Sequence, residues 1–135
     1  YEALSCQAEN PLRSHEIRHA IQRACYIGIA PAGNADRYDE CIAELERIIA
    51  DDLPRQTVAN KTRVFNLDWK QAVENWNIAY IALATVKAMR AREETRAQFL
   101  RTDFPDADDV FWGRNSVGIR IENGTLVAEP VPVES

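Results

Sequence analysis

The chain has 135 residues, 46% of them hydrophobic and 27% charged, with a formal net charge of −5. This is the make-up of one ordinary globular domain, long enough to bury a core without disulfide or metal staples. The negative charge argues against nucleic acid as a partner, because neutralising phosphates takes a basic face. No run of about 18 apolar residues is available to span a membrane.

The sequence opens on Tyr1 with neither an initiating Met nor a signal or transit segment, and so reads as a fragment or processed piece of something larger. A first helix is predicted from Ser14 to Gly28, where Ile17, Ile21, Ala24 and Gly28 recur at helical spacing and Ser14 or Asn10-Pro11 supplies the start. The run from Gly28 to Gly33 stops it, since Pro31 lacks a donor and glycine accepts positive φ. A second helix, capped by Asp36 and running to Asp51, sets Tyr38, Cys41, Ile42, Leu45, Ile48 and Ile49 in one stripe. Asp51-Asp52-Leu53-Pro54 ends it.

A polar connection from Arg55 to Asn66 leads to a third, long helix, with Asp68 as its cap, Gln71 at the capping-box position, and its end near Phe99. Trp69, Val73, Trp76, Tyr80, Leu83 and Met89, with Ala72, Ala79 and Val86, form its predicted buried face. At ~45 Å it outreaches both partners, so its far end must project or pack on something else. Past Pro105 the period changes to two. Val117, Ile119 and Ile121 alternate with polar residues, Asn123-Gly124 signals a type I′ turn, and Leu126 and Ala128 resume the alternation. That loop sets Ile121 opposite Leu126 and Ile119 opposite Ala128. The tail Glu129-Pro130-Val131-Pro132-Val133 reads as extended and barred from a central strand.

The expected fold class is therefore all-α, a spectrin-repeat-like antiparallel three-helix bundle. It covers residues 1–112, with helices at about 14–28, 36–51 and 68–99, and a hairpin with extended tail covers 113–135. A lone hairpin is marginal in water, so this one should pack on the bundle or on a missing domain.

Chemistry-bearing motifs are scarce: there is no P-loop, no GxGxxG after a strand, no HExxH and no nucleophile elbow. No catalytic, cofactor-binding or metal residue is assigned. His15 and His19 have metal-ligand spacing on a helix, but no third ligand accompanies them, and an exposed polar face explains them. Asp106, Asp108 and Asp109 lack the glycine and terminal Glu of a calcium loop and read as a solvated turn. Cys6, Cys25 and Cys41 show no CxxC spacing; Cys25 and Cys41 fall on apolar helix faces as small core residues, which suits a reducing compartment. Asn60-Lys61-Thr62 and Asn123-Gly124-Thr125 match the glycosylation triplet and read as turn chemistry.

The segment from Arg90 to Pro105 stands apart. Of 16 basic residues only Lys61, Lys70 and Lys87 are lysines, and arginine is the residue of planar, bidentate ion pairs. A salt-bridged helix end and an interface are both open readings, with Arg92, Glu94, Arg96, Arg101 and Asp103 as the interface candidates.

This segment resembles the signature near the end of flavoprotein subunits of succinate dehydrogenase, fumarate reductase, L-aspartate oxidase and adenylylsulfate reductase, R-x-E-S-R-G-x-H-x-R-x-D-Y-P followed by acidic residues and a Trp. Arg92, Glu94, Arg96, Arg101, Asp103, Pro105, Asp108, Asp109 and Trp112 match it in register. Phe65-Asn66-Leu67-Asp68-Trp69 and Glu74-Asn75-Trp76-Asn77 look like the family's run into its long helix. Thr95, Ala97, Phe99 and Phe104 depart from the pattern, standing where it has Ser, Gly, His and Tyr.

The resemblance implies a helical bundle appended to FAD-binding and capping domains that carry the flavin and the catalytic groups. It also implies a docking role toward those domains and an iron–sulfur subunit. FAD is then the cofactor of the parent, not of this piece, and the location is cytoplasmic or at the inner face of a membrane through partner subunits. The alternative is a stand-alone helical protein-interaction module; a small metal enzyme built on His15 and His19 is the weakest reading.

Overall fold

The computed structural model describes residues 9–59, 62 and 64–133. Tyr1, Cys6 and the Asn60-Lys61 pair of the first glycosylation triplet lie outside the described residues. In chain order the elements are β1 (Leu12–Arg13), α1 (Ser14–Gly28), β2 (Ala32–Gly33), α2 (Ala35–Arg47), β3 (Gln56–Thr57), α3 (Leu67–Ala91), β4 (Leu100–Arg101), β5 (Asn115–Glu122) and β6 (Thr125–Pro132). A π-type turn over Ile48–Asp52 and a 3-10 turn over Leu53–Arg55 come after α2. Three helices and a C-terminal antiparallel strand pair thus account for most of the chain.

One core joins the helices. Ile17, Ile21 and Ala24 of α1 meet Tyr38, Cys41 and Leu45 of α2, Ile48, and Ala79, Leu83 and Val86 of α3. The stripes of α1 and α2 are those expected from periodicity. At Gly28 the approach is so close that a Cβ would collide with Cys41 and sit 3.3 Å from Val86 Cγ2. Burial pushes the Cys41 thiol up to about 11, so it is an inert packing residue.

The third helix differs from expectation in two respects. It ends at Ala91, not near Phe99, because Arg92 turns to φ −84° and ψ 108°. Its inward face is also rotated. Ala72, Asn75, Ala79, Ala82, Leu83 and Val86 are buried, while Val73 and Tyr80 are exposed and Trp76 stacks on Tyr80 at the flank. Alanines let the backbones approach closely; large aromatic rings in those positions would hold the helices apart.

The caps differ as well. Asn34 and Asn66, not Asp36 and Asp68, accept the first-turn amides of Arg37 and Trp69. Asp68 is engaged elsewhere, by the Ser14 hydroxyl and by the Ala59 N–H at 2.5 Å. Around it lies a buried polar network. Asn75 donates to the Ser14 carbonyl at 2.7 Å and to Gln56 Oε1 at 2.6 Å, and Gln56 donates to the Ala72 carbonyl at 2.8 Å. Arg18 Nε reaches Asn75 Oδ1 at 2.6 Å. A buried network with every partner in place fixes the register of α1 on α3.

The hairpin has the expected turn and register. Asn123 and Gly124 adopt φ of 50° and 81°, and Ile121 pairs with Leu126, Ile119 with Ala128. The proline-containing tail continues the second strand as far as Pro132. Leu126 packs against the helical core, and Lys87 of α3 donates to the Leu126 carbonyl at 3.0 Å while pairing with Glu46 of α2 at 2.7 Å.

Candidate functional site

The matched segment is a turn-rich clasp that closes over the ends of α2 and α3. It begins where α3 stops, with the Arg92 N–H still bound to the Ala88 carbonyl at 3.2 Å. Two buried charged residues, Glu94 and Arg101, organise the clasp.

Glu94 has a side chain that is 0% exposed. Arg96 Nε and Nη2 reach its two oxygens at 2.9 Å, the Arg92 guanidinium closes on Oε1, and the Asp108 N–H donates to Oε2 at 2.9 Å. Arg92 also lies over the Trp112 ring, 5.4 Å from its centroid, and Arg96 continues to Asp109 at 2.7 Å. Burial works against the carboxylate, but the bonds from Arg96, the Asp108 amide and Arg92 outweigh it and hold its pKa at about 2.

Arg101 is 1% exposed. Its Nη1 donates to the carbonyls of Met89, Arg90 and Arg92 at 3.0, 3.2 and 2.7 Å, while Nε and Nη2 form a fork to both oxygens of Asp103 at 2.8 and 2.7 Å. The guanidinium is sandwiched between the rings of Tyr38 and Phe104, at 5.1 and 4.9 Å. Asp103 in turn accepts the Ala35 N–H at 2.9 Å. The polarity is favourable at each end. A cation sits on the carbonyls that close α3, and a carboxylate sits on the first amide of α2. The Arg101 fork is the main reason that Asp103 stays well below the usual carboxylate range, with the Ala35 amide adding to it against the cost of burial.

Backbone pairing completes the clasp. β4 lies parallel to β2, matching Leu100 with Ala32 and Arg101 with Gly33, and Thr102 N–H donates to the Gly33 carbonyl at 2.9 Å. Thr95 Oγ1 accepts the Arg101 N–H at 2.8 Å. Between these anchors Arg96 and Phe99 bond reciprocally at 2.9 and 3.0 Å around a tight turn. Ala97 in that turn has φ of 53°, the region where glycine is at ease and alanine is strained. Ala97→Gly is therefore expected to stabilise the chain by about 0.5–1 kcal/mol, measured as a rise in thermal midpoint.

All five interface candidates fall in this clasp. Glu94 and Arg101 lie inside it, and Arg92 and Arg96 at its half-buried rim. Sequence reasoning missed Tyr38 and Phe104 as the walls of the Arg101 slot, and Asn75 as a network residue. A polar residue in the buried stripe of α3 was the available signal for Asn75. His15 and His19 are both exposed, with ring centroids 6.3 Å apart, and among the described residues no group of three or more His, Cys, Asp or Glu is placed to hold a metal ion.

Comparison with known proteins gives a consistent result. The chain is 33% identical over 76 residues to a succinate dehydrogenase flavoprotein subunit of Rickettsia felis, covering 56% of this chain and 13% of that protein. It is 30% identical over 87 residues to a fumarate reductase flavoprotein subunit of Mycobacterium tuberculosis, covering 64% and 15%. The chain thus spans a small part of these relatives. In fold it is similar to the Mycobacterium smegmatis Sdh1 complex in the apo form, with a TM-score of 0.86 at 21% identity over 98% of this chain and 22% of that one. The FrdA E245Q variant of Escherichia coli quinol fumarate reductase also gives 0.86, at 20% identity over 98% and 23%. A family model described as fumarate reductase flavoprotein C-term matches residues 16–135, and the chain belongs to that family.

Proposed function

We propose that this chain is the structural and docking C-terminal domain of an FAD-dependent oxidoreductase of the succinate dehydrogenase/fumarate reductase type. The family match over residues 16–135 carries the reading. The described residues do not fit a flavin cradle: the parallel pairings are two residues long, with no glycine-rich turn between strand and helix. In this reading FAD sits on the FAD-binding and capping domains of the parent, and an iron–sulfur subunit is a further partner.

In this reading residues up to 112 form an antiparallel bundle. The Asp39–Arg90 and Glu46–Lys87 pairs between α2 and α3, and the approach of Gly28 to both Cys41 and Val86, support that arrangement. Residues 113–135 are its appended hairpin. No helix among the described residues is long and apolar enough to cross a membrane, so a place at the inner face of one would come through partner subunits.

Docking calls for a surface unsuited to water. Such a surface runs along α3 and its entry, where Val64, Phe65, Leu67, Val73, Tyr80 and Ile81 are exposed, Phe65 at 96% and Ile81 at 66%. A helix apolar on all sides is normally covered on all sides. Glu94 and Arg101 shape the clasp from within, while Arg92, Arg96 and Asp103 offer its rim to a neighbour.

Ile81→Glu tests this reading. It is expected to leave the thermal midpoint of this chain unchanged, yet to lower flavin content or subunit assembly several-fold in the full-length protein. Unchanged flavin content and assembly would count against docking through α3. A native polypeptide of only 15.3 kDa without flavin absorption would favour the stand-alone interaction module instead.

A further inference from the structure

The two outer edges of the hairpin are treated differently. Val133 N–H donates to the Arg114 carbonyl at 3.0 Å, just beyond the paired strands. In an antiparallel pair, hydrogen-bonded and non-hydrogen-bonded residue pairs alternate. Stepping by two from Arg114, Ser116↔Val131, Gly118↔Glu129, Arg120↔Val127 and Glu122↔Thr125 are the hydrogen-bonded pairs. Asn115, Val117, Ile119 and Ile121 therefore turn their N–H and C=O groups away from β6. On β6 the outward residues are Leu126, Ala128, Pro130 and Pro132.

The β6 edge is closed. Two of its outward residues have no N–H, and the Leu126 carbonyl takes the Lys87 ammonium at 3.0 Å. Proline and lysine are the usual guards of a sheet edge. The β5 edge has neither, and among the described residues no strand pairs with it and nothing bonds its outward groups. It also overhangs the bundle. Leu126 packs on the core, whereas Ile121 across from it is 75% exposed and Ile119 is 37% exposed.

We propose that this edge joins two copies of the chain, β5 pairing antiparallel with β5 of a second copy about a two-fold axis at Ile119. The pattern is symmetric about that residue. Val117 meets Ile121 of the second copy and Ile119 meets its own equivalent, so apolar residues face apolar residues on one side of the sheet. On the other side Arg120 falls opposite Gly118, which leaves room for the long side chain, and Glu122 falls opposite Ser116. Arg120 brings no uncompensated charge, being paired with Glu122 at 3.4 Å and Glu129 at 3.1 Å within its own hairpin. The product is a four-stranded sheet with an isologous interface whose outer edges are the guarded ones.

Light scattering on the 135-residue chain is expected to give a dimer. Ile119→Pro removes an N–H from the outward edge only and is expected to give a monomer with an unaltered circular dichroism spectrum. Ile119→Cys sits on the axis, where the Cα separation of a hydrogen-bonded pair, about 5.5 Å, lies within disulfide range. Oxidised glutathione is expected to cross-link that variant into a dimer, and to leave the parent chain and Ser116→Cys uncross-linked. A monomeric parent chain, or equal cross-linking at both positions, overturns the proposal. So does exchange protection of the Val117, Ile119 and Ile121 amides in a monomeric full-length flavoprotein, which would assign the edge to a strand of the same polypeptide.

Discussion

Glu94→Ala is expected to destabilise the chain by about 3–5 kcal/mol, the range for breaking a buried ion pair by removing one partner. Nothing else takes up the role. The substitution strips Arg92 and Arg96 of their shared carboxylate, leaves the Asp108 N–H without its acceptor, and so loosens the Asp106–Trp112 segment on the end of α3. For a domain of this size that is a fall in thermal midpoint of roughly 10–20 °C. Glu94→Gln keeps the shape and one carbonyl acceptor and should fall between alanine and the parent.

The pH dependence provides a sharper check. Glu94 is held at about 2 in the folded chain against 4.5 for the free side chain. A lowered folded-state pKa means that its contribution is complete above about 4.5 and is lost as the pH falls toward about 2. Asp103 is shifted in the same direction from a lower ordinary value, 3.8, so its contribution is lost further down the pH scale than that of Glu94. Thermal melts from about pH 6 down to about pH 2 should therefore show a steep loss in the parent and a shallower one in Glu94→Gln. Identical slopes would mean that the buried carboxylate is not ionised as the geometry requires.

Local periodicity made part of this fold legible in the sequence. The stripes of α1 and α2 and the register of the hairpin depend on spacing within one element, and Ile17, Tyr38, Leu45 and the Ile121–Leu126 pair lie where spacing puts them. Spacing misleads where a distant partner decides. Arg92, Glu93, Glu94 and Arg96 have the charge spacing of a solvated helix, but Glu94 bonds the Asp108 amide, 14 residues on, and the helix stops at Ala91. Asp68 reads as a cap until Ser14 and Ala59 claim it, 54 and 9 residues away. Size assigns the inner face of α3 to its aromatic residues, whereas a closely packed three-helix core selects alanines and a satisfied Asn75. The five residues singled out lie close together in the clasp, with Glu94 and Arg101 buried inside it.

Arg101→Leu is expected to cost a similar amount, about 3–5 kcal/mol, by a different route. Its guanidinium joins two helix ends of opposite polarity, the Met89, Arg90 and Arg92 carbonyls on one side and, through Asp103, the Ala35 amide on the other. Leucine fills part of the slot between Tyr38 and Phe104 but bonds none of these groups, leaving the carbonyls unsatisfied. Lysine keeps the charge yet cannot fork to both Asp103 oxygens while reaching three carbonyls, so Arg101→Lys should recover about half of the loss. If the pair works as one link, removing Asp103 in the Arg101→Leu background should cost little more. The double cycle with Asp103→Asn would then show a coupling on the order of 1–3 kcal/mol. Hydrogen exchange at Ala35 places the effect, since its amide should lose protection in Arg101→Leu although it lies in another helix. Strict additivity with full protection at Ala35 would reduce Arg101 to a local cap on α3, with Asp103 holding the first amide of α2 without its help.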